Sequence, residues 1–141
     1  MDMLKRIRDE EHMPTAILLD TKGPEIRTGI LKDGKKVMLE TGRKFTLTSE
    51  DITGDETKVS ISYSGLVDDV SVGSTILIDD GLIGLRVISK TVTDIVCEIV
   101  NGGELGERKG VNVPNVPVRL PAITDKDRED IRFGVEQGID F

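Results

Sequence analysis

The chain has 141 residues and a mass of 15.4 kDa, one domain's length and enough to bury roughly two-thirds of its unfolded surface. A net charge of −7 and a pI near 4.8 exclude a broad nucleic-acid footprint, and 3% aromatics without Trp disfavour a base-stacking platform or an aromatic sugar groove. The single cysteine, Cys97, excludes an internal disulfide and fits a reducing compartment, and no apolar run is long enough to span a membrane.

Residues 1–12, MDMLKRIRDEEH, are charged, with Leu4 and Ile7 on one stripe. They predict an amphipathic helix that Pro14 stops. No apolar signal core is present, so secretion is not expected. Thr15 to Asp20, TAILLD, is a short continuous apolar run, the pattern of a strand covered on both faces. It runs into a polar stretch at Asp20, and strand ends of this kind are where α/β folds place ligands.

From about residue 26 to 118 the pattern changes to period two. Val37 and Leu39, Phe45 and Leu47, and Val59 and Ile61 alternate with polar residues. So do Ile83, Leu85 and Val87, and then Ile95, Cys97 and Ile99. Turn pairs separate these runs at Asp33-Gly34, Thr41-Gly42, Thr53-Gly54, Asp80-Gly81 and Gly102-Gly103. Many short strands with regular turns predict a mainly β domain, a small closed antiparallel β-barrel. NVPNVPVRLP then reads as a linker. Thr124 and Asp127 form a capping-box pattern, and the helix behind it should turn Ile131 and Val135 inward and stop at Gly138. Ile139 to Phe141 looks like the start of a strand. A helix and strand before the β-domain, and a helix and strand start after it, predict a β-domain inserted into a β/α repeat fold whose flanks are cut short.

Chemistry concentrates in Asp20-Thr21-Lys22-Gly23-Pro24-Glu25-Ile26-Arg27-Thr28-Gly29. Carboxylate and carbonyl oxygens there suit a hard cation, and Arg27 offers a planar fork of donors for phosphate. The same residues also suit a plain Gly-Pro turn with solvated charges. Asp79-Asp80-Gly81 is either a ligand site or simply a hairpin turn. Arg108-Lys109 alone reads as a solvated basic pair. His12 reads as a surface helix residue and Cys97 as a small buried hydrophobe.

These segments resemble the pyruvate kinase family. LLDTKGPEIRTG is similar to the passage from that family's (β/α)8 barrel into its inserted lid, the B domain. ILIDDGLIGL resembles the lid hairpin, and KGVNVP followed by LPAITDKD resembles the return to the barrel. Order and spacing agree over nearly the whole chain. The resemblance implies a barrel helix end and one barrel strand at 1–28, the β-barrel lid at 29–117, and a return segment with a barrel helix at 118–141. It implies potassium ligands at Asp20 and Thr21, and a potassium-dependent kind from Glu25, where potassium-independent members tend to carry Lys. It implies nucleotide contacts at Arg27, Asp79 and Lys109, and no catalytic residue in this chain. The implied reaction transfers phosphoryl from phosphoenolpyruvate to ADP, giving pyruvate and ATP. It needs Mg2+ and K+, with most ligands outside this chain, in a cytoplasmic, homotetrameric full-length protein; the fragment should be inactive alone. Asn115 stands where the family usually has Gly, and Asn still tolerates a left-handed turn. The rival expectation is a free-standing β-barrel ligand-binding module without catalytic activity.

Overall fold

Period-two alternation becomes short strands in the middle of the chain. The computed structural model describes residues 1–21 and 23–141; Lys22, inside the segment that runs from Asp20 to Gly29, lies outside the described residues. The chain divides into two compact units, Glu25–Leu120, and Met1–Pro24 with Pro121–Phe141.

The first of these holds β1 (Ile26–Arg27), β2 (Val37–Leu39), β3 (Lys44–Thr48), β4 (Lys58–Ser60), a helical turn α2 (Leu66–Asp69), β5 (Thr75–Ile78), β6 (Ile83–Lys90), β7 (Asp94–Asn101), β8 (Gly103–Leu105) and β9 (Gly110–Asn112). Seven strands form one curled sheet in the order β1-β9-β5-β6-β7-β3-β4, and β2 pairs with β8 beside it. The expected alternation is realised. Phe45, Leu47, Ile83, Leu85, Val87, Ile95, Cys97 and Ile99 all point into one core, with Ile76 and Ile78. Burial pushes the Cys97 thiol up to about 12, as a small hydrophobe in such a core requires.

A closed, wholly antiparallel barrel is corrected by the strand order. The sheet is an open, mixed half-barrel, because β3 and β4 run parallel. The chain leaves β3, crosses through residues 49–57 and re-enters beside it in the same direction, a crossover rather than a hairpin. Just past the edge strands β1 and β4, an isolated antiparallel bridge joins Thr28 to Ile61, and Arg27 N–H donates to Ser62 Oγ at 2.9 Å. Turns fall as expected at Asp33-Gly34, Thr41-Gly42 and Asp80-Gly81, but not at Thr53-Gly54, where Gly54 bridges Leu31, nor at Gly102-Gly103, where Gly103 begins β8. Asp33, Asp80 and Asn115 carry positive φ (57°, 55° and 62°), the left-handed region that short polar side chains tolerate.

The other unit contains α1 (Asp2–Glu10) and α3 (Asp125–Glu136). The α1 helix ends well before Pro14, and Leu4 and Ile7 stay exposed. The strand expected at Thr15 to Asp20 is absent as a regular strand. The stretch is extended but has one short neighbour to pair with: Leu19 N–H donates to Phe141 C=O (2.8 Å), and Phe141 N–H donates to Ile17 C=O (3.1 Å). One residue bonded to both flanks of another is a parallel bridge, so α3 is the crossover of a short parallel unit.

The α3 helix starts with the expected capping box. Thr124 Oγ1 accepts the Asp127 N–H (3.1 Å), and Asp127 Oδ2 accepts the Thr124 N–H (2.8 Å). It ends before Gly138, whose φ is 58°. The inward placement of Ile131 and Val135 is corrected: both are exposed, Val135 at 74%, and α3 buries Asp127 and Gly134 instead. A Cβ on Gly134 would lie 2.5 Å from Ile139 and 3.0 Å from Leu19, so the packed face is centred on Asp127 and Gly134, beside the apolar pair rather than on it.

Candidate functional site

The order β1-β9-β5 governs the site. Register pairs Arg27 with Gly110 and Ile78 with Val111. Arg27 at the end of β1, Lys109 just ahead of β9 and Asp79 just after β5 therefore stand on one rim of three adjacent strands. Neighbouring strands lie about 4.8 Å apart, so the row spans roughly 10 Å. Three charges separated by 52 and 30 positions in sequence meet because β9 inserts between the other two strands.

Each side chain has a defined setting. Asp79 has φ 54°, and its N–H donates to Gly110 C=O at 3.0 Å. Asp80 (φ 55°) and Gly81 (φ 89°) then make a type I′ turn closed by the Leu82 N–H on Asp79 C=O at 3.0 Å. This tight turn leaves the Asp79 carboxylate facing β9, where Lys109 Nζ lies 3.0 Å away. The Lys109 stem crosses Gly106, where a Cβ would come within 3.1 Å of its Cε. Arg27 Nε donates to Glu25 Oε2 at 2.6 Å, and its Nη1 donates to Arg108 C=O at 2.8 Å. The Glu25 carboxylate, and more weakly the Asp80 charge, push the Arg27 guanidinium above its ordinary range. With two of its five N–H donors engaged, the fork is aimed but not saturated. Beside it lies a groove of about 300 Å3 lined by Thr28, Ser49, Glu50, Ser60 and Ser62.

Asp20 and Thr21 belong to the other unit. Asp20 is exposed and Thr21 half-buried. Gly23 N–H donates to Asp127 Oδ1 at 2.9 Å, so the helix-capping carboxylate also holds the backbone at Gly23. Asp127 is 2% exposed, and the Thr124 hydroxyl, then the Thr124 and Gly23 amides, hold its carboxyl below the usual range. Asp20 and Thr21 offer oxygen donors of the type a hard cation takes, which fits a share of a potassium site. Among the described residues no three His, Cys, Asp or Glu converge as a metal cluster, and no helix is long and apolar enough to cross a membrane.

Sequence reasoning missed several residues here. Arg108 is more than half of a solvated pair: it sits at φ 54° and its carbonyl accepts from Arg27. Thr28 is 3% exposed and bonded to Lys109 on two atoms. Asp127 was read as a cap alone. Only Gly106, in a run without turn-pair company, carried a signal in its residue type.

A family model for the pyruvate kinase barrel domain matches residues 1–141. The chain belongs to the pyruvate kinase family. A pyruvate kinase of Clostridium perfringens is 50% identical over 142 residues, covering 100% of this chain and 30% of that protein. One of Clostridium acetobutylicum is 51% identical over 140 residues, covering 99% of this chain and 29% of that protein. The crystal structure of a pyruvate kinase from Cryptosporidium parvum aligns at TM-score 0.86 and 40% identity, covering 99% of this chain and 28% of that one. The chain thus spans about 30% of the length of the curated relatives it matches.

Proposed function

We propose that this chain is the lid of a pyruvate kinase with adjoining pieces of its (β/α)8 barrel, 29–117 being the lid and 1–28 and 118–141 barrel parts. The full-length protein transfers phosphoryl from phosphoenolpyruvate to ADP in the cytoplasm, giving pyruvate and ATP, and works as a homotetramer. The observation that carries this reading is the rim that unites Arg27, Lys109 and Asp79. Arg27 presents its remaining N–H donors, and Lys109 a point charge, to the nucleotide phosphates. Asp79 holds Lys109 in place at 3.0 Å and would supply a carboxylate toward the nucleotide's magnesium once the phosphates draw the lysine away. Asp20 and Thr21 would give oxygen ligands to potassium. The bound cations neutralise phosphate charge that would otherwise repel in phosphoryl transfer. Closing such a rim over the nucleotide excludes water and orients the phosphates. The parallel bridge between the Ile17–Leu19 stretch and Phe141 supports barrel flanks over a free-standing ligand-binding module, which has no use for a parallel unit.

Steady-state kinetics of the full-length protein test the reading. Arg27→Ala should lower kcat/KM for ADP by on the order of ten- to a hundredfold, with the melting temperature little changed. Unchanged kinetics with a lowered melting temperature would make Arg27 a structural residue and remove the nucleotide assignment. The isolated chain should show no turnover in a coupled pyruvate assay.

A further inference from the structure

We propose that Thr28 is a positioning residue. Its buried hydroxyl fixes the backbone that carries Lys109 toward the rim, so its loss weakens the nucleotide-phosphate contact. The inference rests on the rim reading above.

The geometry is an interrupted ladder. Arg27 pairs with Gly110, so Thr28 and Lys109 face each other one step further along the antiparallel pair. Facing residues bonded in such a ladder exchange two backbone hydrogen bonds. Thr28 N–H does donate to Lys109 C=O, at 2.8 Å. The return bond does not go to the Thr28 carbonyl. Lys109 N–H donates to Thr28 Oγ1, at 2.9 Å. The preceding residue explains the exchange: Arg108 sits at φ 54°, and its own N–H donates to Gly29 C=O at 3.1 Å. A side-chain-bearing residue in that region persists only where its surroundings over-determine it. Here Arg27 Nη1 holds the Arg108 carbonyl, Gly29 the Arg108 amide, and Thr28 both sides of Lys109.

The turn at Arg108 swings the Lys109 stem over Gly106 and brings Nζ to 3.0 Å from Asp79. Without the Thr28 hydroxyl, the Lys109 amide loses its acceptor in a part-buried site. The cheapest relief is for the Arg108–Lys109 backbone to relax toward a regular ladder, which re-aims the lysine. Thr28 touches no phosphate itself; it acts through Lys109.

The test compares variants of the full-length protein at varied ADP and varied phosphoenolpyruvate. Thr28→Val, close in volume but without an acceptor, should raise KM for ADP about tenfold, equivalent to ~1.4 kcal/mol. KM for phosphoenolpyruvate should stay within about twofold, a split that a general loss of fold does not produce. Thr28→Ser keeps the oxygen and should recover most of the affinity. The double variant Thr28→Val with Lys109→Ala should be no worse for ADP than Lys109→Ala alone, because both remove one device. If Lys109→Ala raises KM for ADP and Thr28→Val does not, the Thr28 inference falls and the rim reading stands. If Lys109→Ala leaves ADP kinetics untouched, the rim reading falls. Additive effects in the double variant overturn the inference by showing that Thr28 acts elsewhere. Should Thr28→Val fail to fold, Thr28→Ala, which also removes the acceptor and adds no bulk, takes its place under the same criteria.

Discussion

The two units solve the same problem to different degrees. Residues 25–120 bury their apolar alternation in a core of their own, with Phe45, Leu47, Ile76, Ile78 and Ile95 fully covered. The unit of 1–24 and 121–141 leaves Leu18, Phe133, Val135 and Phe141 largely exposed, and the best-buried side chain among its described residues is a carboxylate, Asp127. In the first, scaffold and rim are separable, because Arg27, Lys109 and Asp79 stand at the edge of a core that does not need them. In the second they are not, because Asp127 both caps α3 and holds the Gly23 backbone two residues after Thr21. A functional substitution in the first unit should therefore read out as function, and one in the second as function and stability together.

The largest effect that could break this contrast is a pair of aromatic truncations in the intact chain. Phe45→Ala removes a ring from the centre of the sheet core and should cost about 3–5 kcal/mol of unfolding free energy. Phe133→Ala removes one that is 50% exposed and should cost within about 0.5 kcal/mol. Urea unfolding followed by circular dichroism measures both. Equal losses would mean that the second unit has a core as complete as the first.

Acid sharpens the contrast at Asp127. Its carboxyl is held below the ordinary value of 3.8 by the Thr124 hydroxyl first, then by the Thr124 and Gly23 amides. A depressed carboxyl stabilises the fold fully above its unfolded pKa and ceases to do so as pH falls through the lower folded value. The α3 ellipticity should hold down to about pH 4 and fall below it. Asp127→Asn should show the loss already at neutral pH and a flatter acid limb. A variant whose acid limb matches that of the natural chain would show that Asp127 does not carry the cap.

Much of the first unit was legible because period two over a half-buried sheet leaves a direct trace: every strand core named from the alternation, from Phe45 to Ile99, is buried. Turns were legible where residue type and φ agree, as at Asp80-Gly81 and Asn115. The parallel pairing of β3 with β4 was not, since residues 49–57 carry no mark that separates a crossover from a hairpin loop. The inward placement of Ile131 and Val135 fails, because an i, i+4 apolar pair marks the packed face of a helix only when a partner for that face is at hand. At the rim, the residue types of Arg27, Asp79 and Lys109 drew attention through the family likeness. Arg108 at φ 54° and the buried hydroxyl of Thr28 could not, because neither residue type favours its setting.

The smallest expected effect is the finest probe of separability. Gly106 is buried, and a Cβ there would meet Lys109 Cε at 3.1 Å and Lys36 Cγ at 4.0 Å, with no backbone atom in the way. Both neighbours are far along flexible stems, so they can give by a few tenths of an ångström at little cost. Gly106→Ala also restricts the unfolded chain, a gain of about 0.4–1 kcal/mol where the backbone accepts a side chain. The melting temperature should hold or rise slightly. The lysine stem, lifted off its seat, should hold Asp79 less well, and KM for ADP in the full-length protein should rise about twofold, equivalent to ~0.4 kcal/mol. Gly102→Ala is the contrast within the same unit. Its Cβ would come within 2.2 Å of the Leu39 carbonyl, backbone that cannot step aside, so stability should fall sharply. If Gly106→Ala instead destabilises as Gly102→Ala does, the rim is bound into the scaffold, and the first unit is no more separable than the second.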